Sequence, residues 1–117
     1  MEAEIKRGDI WIVNLDPTIG HEIKKSRPSV IIQNDYGNKY SSITIIAPIT
    51  SQNLDKLYPF EVFLKKRGNL EKDSKVLLNQ IRAVDKRRLI AKISRVNDKE
   101  IDNLDDAIKI SLGLLEI

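Results

Sequence analysis

The run Asp16-Pro17-Thr18-Ile19-Gly20-His21-Glu22-Ile23-Lys24-Lys25-Ser26-Arg27-Pro28 holds the only histidine of the chain, three basic residues and a glutamate. His21 and Glu22 are residue types that transfer protons, though most lone loop residues of these types do not. Arg27 stands before a proline, which pushes its backbone towards extended geometry. It is either a surface arginine opening a strand or a guanidinium fork for phosphate oxygens. Thr50 closes a long apolar run and is followed by Ser51-Gln52-Asn53. Its hydroxyl is either a strand-end cap or a hydrogen-bonding partner for a phosphate oxygen or sugar hydroxyl. Gln80 sits among apolar residues, as a satisfied core amide or as a group that reads a base. Lys86, Arg87 and Arg88 make a basic turn, solvated or touching phosphates. Trp11 and Phe60 read as core residues rather than stacking platforms.

The elements that must position these residues are short. Ile10–Leu15 is rich in β-branched and aromatic residues and ends at Asp16-Pro17, so it reads as a strand. Ser29–Gln33 is a second, running into a turn signal at Asn34-Asp35-Tyr36-Gly37-Asn38. Ser42–Ile49 is a nearly continuous apolar strand, its far end demoted to an edge or bulge by Pro48. Pro59–Leu64 alternates apolar and charged residues, Lys75–Ile81 and Leu89–Val96 complete the set, and Asp85–Arg88 between the last two reads as a turn, with room for one turn of 3₁₀ helix. The tail then changes period. Ile101, Leu104, Ile108, Leu112 and Leu115 recur at helical spacing. Asn97 and Glu100 have the form of a capping box, and Gly113 can end the helix. Five to seven short strands and one late helix predict a mainly β, strongly bent sheet or small barrel. Strands do not alternate with helices, and there is no glycine-rich phosphate loop.

Length and composition narrow the field. The 117 residues are 41% hydrophobic and 32% charged, which suits one domain, 1–117, with its own core. With no cysteine, thiol nucleophiles, disulfides and cysteine zinc sites are excluded. One histidine cannot build a multi-histidine metal site. No run is long and apolar enough to span a membrane, and the acidic start lacks a signal core, so a cytoplasmic protein is expected. The net charge of +3 is segregated: residues 51–95 carry twelve Lys/Arg against five Asp/Glu, and residues 96–117 carry two against six. A basic middle beside an acidic tail suits a polyanionic partner on one face, or charges that balance in three dimensions.

Taken in order, Arg7-Gly8-Asp9-Ile10, Asp16-Pro17-x-x-Gly20-x-Glu22, Arg27-Pro28, Gln33-Asn34-Asp35, Ala47-Pro48-Ile49-Thr50, Leu77-Leu78-Asn79-Gln80-Ile81-Arg82, Asp85-Lys86-x-Arg88-Leu89 and Ser111-Leu112-Gly113-Leu114 resemble the MazF/PemK family of toxin endoribonucleases, essentially end to end. The likeness is greatest to chromosomal toxins of Gram-positive bacteria. The resemblance implies an SH3-like, CcdB/PemK-type β-barrel with a C-terminal α-helix, acting as a homodimer without metal or cofactor. It implies cleavage of single-stranded RNA, mainly mRNA, at a short motif, and neutralisation by a MazE-like antitoxin. Arg27 and Thr50 match the family's catalytic pair, and Glu22 matches a loop acid that matters in parts of the family. His21 stands where the family often has serine, so no role for it is inherited. Substrate binding is expected from His21, Lys24, Lys25, Pro28, Ser51, Gln52 and Gln80, with the loop Thr18–Ser26 and the stretch Ser51–Lys56 reading bases. The rival reading is a non-catalytic CcdB-like toxin acting on gyrase through the same barrel.

Overall fold

A computed structural model of the chain describes residues 4–22 and 25–117. Among these are seven strands: β1 (Asp9–Asn14), β2 (Ser26–Ile31), β3 (Ile43–Thr50), β4 (Glu61–Leu64), β5 (Ser74–Leu77), β6 (Arg82–Asp85) and β7 (Leu89–Arg95). A short helix α1 (Asp35–Tyr40) joins β2 to β3, and α2 (Asp98–Ser111) follows β7. The strands pair antiparallel in the order β4-β5-β3-β2-β1-β7, with β6 also on β3. The sheet is curled but does not close into a full barrel.

β3 is the hub. Along one side Ile46–Pro48 pairs with β2; along the other Ile43–Ile46 pairs with β6, and Ile49 and Thr50 then pair with β5. Pro48 therefore lies inside the sheet, where β3 passes from β6 to β5, and not at an edge. A residue without an N–H is tolerated where the ladder changes partner.

The period of two along β1 divides the core. Ile10 packs with Val30, Ala47, Ile49, Val62, Leu64 and the α2 residues Leu104 and Ala107, while its neighbour Trp11 packs with Val13, Leu15, Ile31, Ile46 and Val84. Trp11 is a core residue, as its type suggested. Phe60, half-buried, instead stacks on Tyr58.

Three local expectations are corrected, and one strand, β6, is added. Asn34–Asn38 opens helix α1 and is not merely a turn: the Asn34 side chain accepts the Gly37 N–H at 2.8 Å as an N-cap. The residue types that mark turns also cap helices. β6 has only one fully buried residue, Val84, so its pattern gave no strand signal. The strand expected over Lys75–Ile81 stops at Leu77, and Leu78–Gln80 is a 3₁₀ turn. Leu112 and Leu115 lie beyond the helix and are exposed. α2 otherwise has the predicted ends. Both capping-box hydrogen bonds between Asn97 and Glu100 form. At the other end Gly113 has φ +75°, its N–H reaching Ile110 O and the Leu114 N–H reaching Lys109 O, a Schellman closure.

The segregated charge is partly balanced across the fold. Arg67, between β4 and β5, grips the Glu100 carboxylate with two guanidinium nitrogens. Arg7 reaches Asp105 at 2.6 Å. Both pairs tie the acidic helix to the basic body.

Candidate active site

The end of β1 carries the loop that enters β2, and arginines hold it from below. Arg82 donates to Leu15 O at 2.9 Å, and Arg88 donates to Asn14 O at 3.1 Å and to Asp16 O. The Lys25 N–H donates to the Asp16 carboxylate at 2.9 Å. Of the basic turn, Lys86 reaches Asn38 O and Arg87 pairs with Asp85, so these cations act first as braces.

Above this frame lies a groove of about 530 Å³ whose lining includes His21, Arg27, Thr50, Gln52 and Gln80. These five come from the first loop, β2, the end of β3, the segment after it, and the 3₁₀ turn after β5. Sequence distance vanishes because β3 has β2 on one side and β5 on the other. Thr50 Oγ1 accepts the Gln52 N–H at 3.2 Å, which bends the chain out of β3 and leaves the hydroxyl hydrogen as a donor. Arg27 pairs in register with buried Val13 and also borders an adjoining pocket of about 230 Å³, where Pro28 and Ser51 lie. The two pockets meet at Arg27, so a bound chain can run past its guanidinium.

Not every expected residue lines the groove. Glu22 folds into its own turn: its carboxylate accepts the Ile19 N–H and its N–H reaches Ile19 O. Lys25 is exposed and lines neither pocket. Lys24 lies outside the described residues.

The groove also contains residues that local sequence did not single out. Lys75 stands opposite Thr50 across the β3–β5 ladder, so their side chains share a face. Its side chain is 6% exposed and meets the 7% exposed Glu61 at 3.0 Å. The same ammonium donates to Asn53 O and Lys56 O, both at 3.0 Å. All three of its protons thus have acceptors, the condition under which a buried lysine is tolerated. Tyr58 closes the wall, its ring parallel to Phe60 at 5.3 Å and 5.0 Å from Lys56 Nζ. Local sequence gave no signal for Lys75, which follows the polar run Glu71–Ser74 at the start of β5 and reads there as a solvated charge. Its partner Glu61 lies fourteen residues upstream, which periodicity alone cannot reveal.

Chemically, the groove offers a guanidinium, a hydroxyl donor, an imidazole and three side-chain amides, beside an exposed aromatic ring. That set suits a phosphate flanked by bases. Lys56 adds to the cationic side, against Asp55.

Comparison with known proteins agrees with this geometry. The family model for PemK-like, MazF-like toxins of type II toxin–antitoxin systems matches residues 6–112. The chain is 42% identical over 113 residues to endoribonuclease EndoA of Bacillus subtilis, covering 96% of this chain and 97% of that one. Its fold superposes on MazF of Deinococcus radiodurans with a TM-score of 0.82 at 24% identity, over 96% of this chain and 99% of that one. A mycobacterial endoribonuclease solved with its cognate antitoxin gives 0.78 at 18% identity, over 97% and 99%. With nearly its whole length matched by the family model, the chain belongs to the PemK-like, MazF-like toxins of type II toxin–antitoxin systems.

Proposed function

We propose that this toxin is a metal-independent endoribonuclease that cuts single-stranded RNA, mainly mRNA, at a short sequence motif. The observation that carries the reading is the meeting of Arg27 and Thr50 in one groove, in a chain 42% identical to an endoribonuclease. RNA supplies its own nucleophile. The 2′-oxygen bonds to phosphorus as the bond from phosphorus to the 5′-oxygen breaks, giving a 2′,3′-cyclic phosphate, which water can open to a 3′-phosphate, and a 5′-OH end. The protein must align these atoms, stabilise charge on the phosphoryl oxygens, and move two protons.

Arg27 stabilises the phosphoryl charge and hydrogen-bonds the leaving 5′-oxygen, which takes its proton from solvent water. Thr50 positions the phosphate through its hydroxyl hydrogen. The 2′-OH proton needs an acceptor, which neither residue provides. Of His21 and Glu22, the first lines the groove while the carboxylate of the second accepts the Ile19 N–H, so His21 is the better placed acceptor, with solvent water the alternative where no strong base is needed. Gln52 and Gln80 read base edges. A second copy of the chain completes a homodimer, and an acidic, MazE-like antitoxin segment neutralises the toxin by covering the groove.

The test is incubation with a long single-stranded RNA in EDTA, followed by mapping of the cut ends. Cuts at one recurring motif with 5′-OH ends are expected, with affinity falling steeply as salt rises. Arg27→Ala should lower cleavage by at least about 10²-fold with the fold intact, and Thr50→Ala should also be severe. Intact RNA from a folded, antitoxin-free protein would move the weight to a toxin that acts by binding, and a gyrase supercoiling assay would identify that case.

A further inference from the structure

The buried Lys75–Glu61 pair is more than a satisfied ion pair, because both its members grip the same loop. Lys75 Nζ donates to the carbonyls of Asn53 and Lys56, while the Glu61 carboxylate, which Lys75 also contacts, accepts the Tyr58 N–H at 3.0 Å. Three points of the wall between Gln52 and Tyr58 therefore hang on one buried pair. Among the described residues the wall's other backbone bonds are the Gln52 N–H to Thr50 Oγ1 bond at 3.2 Å where it leaves β3, the long Lys56 N–H to Asn53 O contact at 3.5 Å and the Glu61 N–H to Tyr58 O turn, and Asn53 has φ +55°. Its residues are mostly exposed, yet they carry the Tyr58 ring, the Lys56 ammonium and the Gln52 amide into the groove.

Resting on the RNA-cleaving reading above, we infer that the Lys75–Glu61 pair sets how stringently the groove discriminates between RNA bases, by fixing the shape of the Gln52–Tyr58 wall. Lys75 is a positioning residue here. Its ammonium is consumed by the protein's own acceptors and is not a phosphate contact. A rigid wall rejects a wrong base because it cannot move to satisfy its edge; a loose wall rearranges and accepts it. Chemistry at the phosphate depends on Arg27 and Thr50; Lys75 faces Thr50 across the ladder, but the hydrogen bonds of its ammonium go to the wall and to Glu61, so loosening the wall should show first in discrimination.

The variant is Lys75→Met combined with Glu61→Gln. It removes both charges together, so neither is left buried alone, and the glutamine can still accept the Tyr58 N–H. Val84→Ala, in the other core cluster, serves as the control for general destabilisation. Two measurements are made on full-length protein. Amide hydrogen exchange across residues 51–58 is measured without RNA, and cleavage is mapped on a pool of RNAs containing the preferred motif and its single-base variants. Exchange in the loop should rise in the double variant and not in the control. The preference for the best motif over single-base variants should fall about tenfold or more in the double variant and stay at the wild-type level in the control. A cleavage motif as sharp as in the wild type would overturn the inference and leave the RNA reading standing. Unchanged exchange across the loop would overturn its structural premise. A wild-type protein that cuts no RNA would overturn the RNA reading and the inference with it.

Discussion

The energetics of the Lys75–Glu61 pair make a prediction that needs no substrate. Replacing only Lys75 by methionine strands a carboxylate that is 7% exposed and removes all three acceptors' shared donor. Breaking a buried pair by removing one partner costs about 3–5 kcal/mol, whereas replacing both charges is close to neutral. Glu61→Gln alone is milder. The ammonium keeps its two carbonyls and gains an amide oxygen, so about 1–2 kcal/mol is expected. In the double variant the Asn53 and Lys56 carbonyls turn to water, since both residues are exposed, and the cost should be about 0–1 kcal/mol. The double variant should thus be more stable than the Lys75→Met single, the reverse of additivity. For a chain of this length, Lys75→Met should lower Tm by roughly 12–20 °C, at about 4 °C per kcal/mol. Urea unfolding followed by Trp11 fluorescence is the assay, because the single tryptophan is 6% exposed within the core. Protein concentration must be fixed, since association would shift the midpoint. Additivity of the three variants within about 0.5 kcal/mol would refute the claim that the two charges are coupled.

Glu100 makes a second, pH-dependent case. Burial pushes its carboxyl up, but hydrogen bonds from Arg67 and the Asn97 backbone outweigh this and hold it below the ordinary carboxylate value. A lowered folded-state pKa contributes stability that is present above the unfolded value and lost as pH falls through the folded one. Glu100→Gln should therefore cost about 1–3 kcal/mol at neutral pH, and the gap from wild type should close as pH drops below the ordinary carboxylate range; a gap unchanged by acid would refute the assignment. Gly8 has φ +92°, and an added Cβ would lie 3.1 Å from Ile101 Cδ1 and 3.3 Å from Val96 Cγ2. Gly8→Ala should cost about 1–3 kcal/mol in chemical unfolding, and a loss below about 0.5 kcal/mol would show that neither the backbone nor the contact matters.

What was legible in the sequence follows from the range of each interaction. The α2 helix was readable to its caps, because Asn97, Glu100 and Gly113 act within a few residues of the backbone they satisfy. β1 and β3 were readable because their apolar residues fill a core whichever strands become their neighbours. β6 was not, since its place is set by pairing with β3 rather than by its own burial. The same division runs through the site. Arg27, Thr50, Gln52, Gln80 and His21 were named from local geometry and family likeness, and the groove brings them together. Glu22 was named on its type and on its match to a loop acid of the family, and its carboxylate accepts the Ile19 N–H within its own turn. Lys75 was invisible as a site residue because its meaning depends on a glutamate, two carbonyls and a threonine brought in by three other segments. A lysine near the start of a strand costs little if it faces water; this one faces inward, and a buried acceptor set meets its cost. Here that set belongs to the groove wall, and what looks locally like a solvated charge becomes the device that shapes the site.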